Sequence, residues 1–190
     1  MPKPRARRRD SPPKARRATR GGPQKAQGAM RDDLRKVRRA TADDLPHIGR
    51  LGALLVATHH EFDSRRFLAP TGRTKDAYAS YLGTQLDAPG AAVFVAEENG
   101  DVIGYAYVAV ESYDYMALRG PAGVLHDIIV DSERRRGGVG RRLLDAALEF
   151  VLMRGLTQIV LGTAQRNEAA QRFFASVGFR PTMIEMTRDL

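Results

Sequence analysis

A chain of 190 residues has room for one domain with a hydrophobic core and is short for two. It holds no cysteine, which excludes a disulfide framework, a thiolate nucleophile and thiolate metal ligation, and its apolar runs are broken well short of the ~20 residues of a membrane span. The net charge of +9 suggests nucleic acid until it is placed: residues 1–29 carry ten of the 31 Lys and Arg but one of the 22 acids, so the rest of the chain is balanced.

Residues 1–29, rich in Pro, Arg, Lys, Gly and Gln, are expected to form a disordered basic tail, because they cannot bury enough apolar surface to offset chain entropy. Phosphate contacts to nucleic acid, a solvated extension, or a start of translation at Met30 all fit that composition. Residues 30–190 then make up the domain. No apolar leader stretch follows the basic start, so a cytoplasmic, soluble protein is expected.

Leu34 to Ala40 reads as a short strand, and the stretch from Thr41 to His60 as a helix whose start pairs Thr41 with Asp44 in a capping-box pattern and tolerates Pro46. A second helix is predicted over residues 75–88 from the spacing of Tyr78, Leu82 and Leu86. Residues 91–112 form a hairpin around Asn99-Gly100, a dipeptide suited to positive φ. After a loop from Tyr113 to Gly123 come a strand (Val124 to Val130), a helix from about Val139 to Met153, a strand over residues 157–163, a helix over residues 168–177 that Gly178 can end, and a last strand over residues 183–190. Strands in a meander that then alternate with helices predict a single α+β domain on a mixed, mostly antiparallel sheet flanked by helices.

The junction at Asp131 to Phe150 carries the chemistry. Gly137, Gly138 and Gly140 surround Val139 where the helix begins, and Arg134, Arg135, Arg136, Arg141 and Arg142 add cations around it. Glycines admit unusual φ values and close approach, and the first amides of a helix lack partners inside it, so such a corner suits a polyanion. It is neither a Walker loop nor a dinucleotide fingerprint.

Arg135-x-x-Gly138-x-Gly140 is similar to the Arg/Gln-x-x-Gly-x-Gly/Ala signature of the GNAT superfamily of acetyl-CoA-dependent N-acetyltransferases. Downstream, the run from Asn167 to Phe179 resembles that family's Asn-x-x-Ala-x-x-Phe-Tyr-x-x-x-Gly-Phe stretch, with Asn167, Ala170, Phe173, Gly178 and Phe179 in register. The resemblance extends from Leu34 to the end of the chain and leaves the tail outside. It implies acetyl-CoA as co-substrate, with its pyrophosphate on Arg135, Arg136, Gly137, Gly138, Val139, Gly140 and Arg141. It also implies main-chain pairing of the pantetheine arm with Ile128 and Val130, and a contact from Asn167. On chemistry alone, Asn167 serves equally well as the N-cap of its helix.

Acetyl transfer needs a neutral amine, so a proton acceptor is expected. Asp127, on the central strand, is the candidate catalytic base, with Glu111 as a rival and a structural ion pair as the alternative. Strict alternation puts Asp127 on the face opposite His126 and Ile128. Phe174 stands where the family often has a tyrosine acid, so no general acid is assigned. The four histidines form no metal pattern and no metal is expected, although Thr58 to Asp63 and the loop at Tyr113 to Met116 could face the acceptor. The expected function is N-acetyl transfer to a primary amine of a small molecule or protein, by an enzyme acting without a membrane. A non-catalytic acetyl-CoA-binding module and nucleic-acid binding through the tail are the alternatives, and a homodimer stays open.

Overall fold

The computed structural model describes residues 35–190, so the expected tail and the Leu34 start of the first strand lie outside the described residues. In chain order come β1 (Arg35–Arg39), α1 (Leu45–Phe62), α2 (Thr74–Gly83), β2 (Ala91–Glu98), β3 (Asp101–Glu111), β4 (Ala122–Val130), α3 (Val139–Leu152), β5 (Ile159–Leu161) and α4 (Glu168–Ser176). The strands form one sheet in the order β1-β2-β3-β4-β5, antiparallel up to β4 and parallel between β4 and β5. This is the mixed sheet that the sequence predicts.

Apolar side chains on the two sheet faces build two cores. One face, with Ala92, Ala96, Ala106, Val108 and Leu125, packs on α3 through Val139, Leu143, Leu144, Ala147, Phe150 and Val151, and on α4 through Phe174. The other, with Val93, Val95, Tyr105, Tyr107 and Ile129, packs on Ile48 and Leu51 of α1 and Leu82 of α2. The stripe predicted on α3 is therefore the inner face of that helix.

Local signals set the joints. Asp44 accepts the Thr41 amide at 2.8 Å and two Arg38 nitrogens at 2.7 and 2.9 Å, tying the entry of α1 to β1. The Arg38 guanidinium holds the Asp44 carboxyl below its ordinary range. Asn99 and Gly100 take φ of 55° and 88° in the β2–β3 turn, and Gly178, at 96°, follows α4 as predicted.

Two elements differ from the sequence pattern. The second helix ends at Gly83, with turns carrying the chain on to β2. Residues 183–190 form no strand: Met183, Ile184, Met186 and Leu190 are exposed, and the segment is held by side chains instead, Arg65 to Asp189 at 2.8 Å and Arg66 to Glu185. An alternating pattern makes a strand only beside a strand that can pair with it. Among the described residues no helix is long and apolar enough to cross a membrane.

Helices α1 and α2 approach closely at Gly52, where an added Cβ would lie 2.2 Å from the Tyr78 ring. Gly52→Ala should therefore lower stability by about 1–3 kcal/mol through overpacking, measured by urea unfolding.

Candidate active site

β4 and β5 pair for only three residues, Gly123 with Ile159, Val124 with Val160 and Leu125 with Leu161. β4 then runs on to Val130 with β3 alone beside it. The direction of its main-chain groups follows from register. The Asp131 amide donates to the Ile103 carbonyl at 2.8 Å, and Ile129 and Asp127 sit opposite Tyr105 and Tyr107. Main-chain groups alternate sides along a strand, so those of Ile128 and Val130 face the open edge. The Val130 carbonyl accordingly accepts the Arg135 Nε at 3.1 Å.

The same strand end leads into the glycine turn. After a short 3-10 turn at Ser132–Arg134, Arg136 takes φ of 64° and Gly138 takes 77° as the N-cap of α3. Gly138 offers no side chain to cap the amides of Gly140 and Arg141, and a Cβ placed on it would meet nothing within 4 Å. The corner is open where a helix start presents its donors and the positive end of its dipole. Side chains brace it from behind: Arg134 meets Glu98 at 3.0 Å, Arg50 meets Asp131 at 2.9 Å, and Arg141 meets Asp145 at 2.8 Å, as its helical spacing suggests. The residues present thus fit an extended arm that ends in a diphosphate.

The strand around Asp127, the candidate base, departs from strict alternation. Tyr107 pairs with Asp127 and Val108 with Leu125, so His126 is an extra residue, a β-bulge. A bulge turns two successive side chains toward one side. His126 stacks on Tyr107, with ring centroids 4.8 Å apart and planes at 19°, and Asp127 accepts the Tyr105 hydroxyl at 3.0 Å, both on the α1 and α2 side of the sheet. The expectation that His126 and Asp127 occupy opposite faces is therefore corrected. Ile128 does lie on the α3 side.

Burial raises the Asp127 pKa above the ordinary carboxylate value, against the lowering effect of the Tyr105 hydroxyl, the nearby His126 and His59, and the Tyr78 hydroxyl. Burial, together with the Asp127 charge, pushes the Tyr105 and Tyr78 phenols up. They stay protonated, and Tyr105 donates to Asp127. Glu111, the rival base, sits at the end of β3, 2.8 Å from Arg119 and 3.2 Å from His126 Nε2. The loop beyond it is closed by bridge pairing of Asp114 with Arg119, and Glu111 to Met116 line a hollow beside the site.

The other sequence candidates fall as follows. The Asn167 side chain accepts the Ala170 amide at 3.1 Å, the N-cap arrangement. Phe174 is buried against Phe173 and Phe179. Of the paired histidines, His59 Nδ1 meets the Leu55 carbonyl at 2.9 Å and His60 Nδ1 the Phe67 carbonyl at 3.1 Å. Sequence inspection missed Tyr105, which lies 22 positions from Asp127, and gave Tyr78 only a packing role.

Residues 56–179 match the sequence model described as Acetyltransferase (GNAT) family. A mycothiol acetyltransferase of Thermobispora bispora is 37% identical over 89 residues, 47% of this chain and 30% of that protein. N-acetyltransferase 8 of Homo sapiens is 31% identical over 107 residues, 56% of this chain and 44% of that protein. The chain spans less than half the length of these relatives. Among solved structures, a tetramutant of the BH1408 protein from Bacillus halodurans aligns with a TM-score of 0.71 at 23% identity, covering 82% of this chain and 99% of that one. The aminoglycoside N-acetyltransferase AAC(6')-Iy in complex with CoA aligns at 0.64 with 21% identity, covering 82% and 94%. At such identities the likeness is one of fold.

The raised Asp127 pKa has a stability consequence. A carboxyl with a higher pKa in the folded state than in the unfolded state favours folding below its unfolded pKa, and that contribution is lost as pH rises through the folded value. Asp127→Asn keeps an acceptor for Tyr105 without the charge, so at neutral pH it should melt at or above the wild-type temperature. Its advantage should shrink toward pH 4. A neutral-pH melting temperature well below wild type would mark Asp127 as a structural ion-pair partner instead.

Proposed function

The chain belongs to the acetyltransferase (GNAT) family, and from that premise we propose that it transfers the acetyl group of acetyl-CoA to a primary amine of a small molecule or protein. The observation that carries this reading is the β4 edge beyond Leu125, where among the described residues no strand lies beside Ile128 and Val130, and which runs straight to a helix start without a side-chain cap. In this reading the pantetheine arm pairs with Ile128 and Val130 as an additional strand. The diphosphate lies on the amides from Arg136 through Arg141, with the Arg135 and Arg141 side chains at its rim. Asn167 contributes from the start of α4 while it caps that helix.

The amine arrives on the α1 and α2 side. An alkylammonium with a pKa of about 10.4 must lose a proton before its lone pair can attack the thioester carbonyl. Asp127 accepts that proton, aided by the raised pKa that makes it a stronger base than an exposed carboxylate. A main-chain amide on the β4 edge donates to the oxyanion as the C–N bond forms. The C–S bond then breaks, the nitrogen gives up its second proton to water, and the thiolate takes a proton from water, so that the only net proton is the one on Asp127. Phe174 has none to give, and the Tyr78 and Tyr105 phenols are held too firmly protonated to be good acids.

Calorimetric titration with acetyl-CoA tests the anion corner. Gly138→Trp, which fills the open space before α3, should weaken Kd by at least about tenfold, and equal binding by both proteins would remove the diphosphate assignment. Thiol release across a panel of amines tests turnover. Asp127→Asn should lower kcat by about 10²–10⁴-fold and abolish the rise of kcat/KM with pH whose midpoint, in the wild type, lies above the ordinary carboxylate range. Tight coenzyme binding without thiol release from any amine would favour a binding module.

A further inference from the structure

A corner suited to an anion is an odd place for acids, yet two are built into this one. Asp131 opens the short 3-10 turn at Ser132–Arg134. Its amide donates to the Ile103 carbonyl at 2.8 Å, its Oδ1 accepts the Glu133 amide at 3.3 Å, and Arg50 of α1 donates to its Oδ2 at 2.9 Å. Glu98 ends β2 and is buried, and its carboxylate meets Arg134 Nη1 at 3.0 Å. The turn is thus bolted at its start to α1 and β3 and at its end to β2. Arg136 follows with φ of 64°. A residue with a side chain keeps that left-handed conformation only where the chain on both sides of it is held. The start of α3 at Val139 holds one side, and the two carboxylates hold the other through the turn. The Asp131 carboxyl lies below its ordinary range: burial would raise it, but the Arg50 guanidinium and the Glu133 amide outweigh burial and keep it ionised.

We propose that Glu98 and Asp131 are positioning residues for the coenzyme, holding through Arg134 and Arg50 the turn that presents its amides to the diphosphate. The inference rests on the acetyl-CoA reading above. Charge and position make opposite demands on these two acids. A carboxylate near a bound diphosphate repels it, so by charge alone its removal tightens binding. A carboxylate that anchors the turn fixes where the amides from Arg136 to Arg141 point, so its removal weakens binding. Glu98 is the stronger anchor of the two: its side chain is 9% exposed against 23% for Asp131. Loss of a buried charged partner costs more than loss of one nearer solvent, where an ion pair contributes little.

Glu98→Gln and Asp131→Asn each keep the shape of the side chain and remove one negative charge. Calorimetric titration at low ionic strength, where charge effects are largest, compares acetyl-CoA with S-acetylpantetheine, which carries the same arm and no diphosphate. Glu98→Gln should weaken the Kd for acetyl-CoA by at least about fivefold, and Asp131→Asn by less. The Kd for S-acetylpantetheine should stay within about twofold of wild type in both variants. Acetyl-CoA bound as tightly or more tightly by Glu98→Gln overturns the positioning role. An equal loss for both ligands overturns it as well, since a general loosening of the fold would weaken the arm and the diphosphate alike. Tighter binding by Asp131→Asn removes that residue from the pair. A wild type that binds acetyl-CoA no better than S-acetylpantetheine overturns the diphosphate assignment itself, and the positioning role with it.

Discussion

The parting of two strands governs the rest of the molecule. Up to Leu125 the central strand β4 is paired on both sides; beyond it, β5 has ended and among the described residues no strand takes its place, the Arg135 side chain alone reaching the Val130 carbonyl. Main-chain donors and acceptors need partners, and an edge left open beside a packed core is a template for something extended. The open edge is followed within eight residues by a helix start whose N-cap is glycine. Hydrogen-bonding groups in a row and a positive helix terminus therefore lie in series, which is the order of chemistry along an amide-bearing arm that ends in phosphates.

A single extra residue decides which side chains of β4 face the α1 and α2 side. Without the bulge at His126, Asp127 and His126 would alternate and one of them would point toward α3. With it, a carboxylate and an imidazole share the α1 and α2 side. The helices on that side supply the setting. The close crossing of α1 and α2 at Gly52 packs the Tyr78 ring against α1. Burial then raises carboxyl and phenol pKa values together, with the Tyr105 hydroxyl donating to Asp127.

Features coded by near neighbours were legible in the sequence. The Asn99-Gly100 hairpin, the apolar stripe of α3, the glycine turn and the Asn167 cap each depend on residues within a few positions of one another. The bulge was not, because a period of two presumes a regular ladder and only the partner strand reveals an inserted residue. Tyr105 escaped notice for the same kind of reason: it reads as a core strand residue until β3 lies against β4 and its hydroxyl meets Asp127. The alternation at residues 183–190 misled in the opposite direction, since a strand-like pattern found no strand beside it. The pairing of Glu111 with His126 likewise depends on a register that no local motif records.

Amide hydrogen exchange resolved by residue, with and without coenzyme A, probes the central claim most directly. Binding along the open edge and at the helix start is expected to slow exchange at Ile128, Val130, Val139 and Gly140, while Asp127 and Ile129, which face β3, change little. Coenzyme that binds without altering those four amides, and slows exchange elsewhere, would contradict the account.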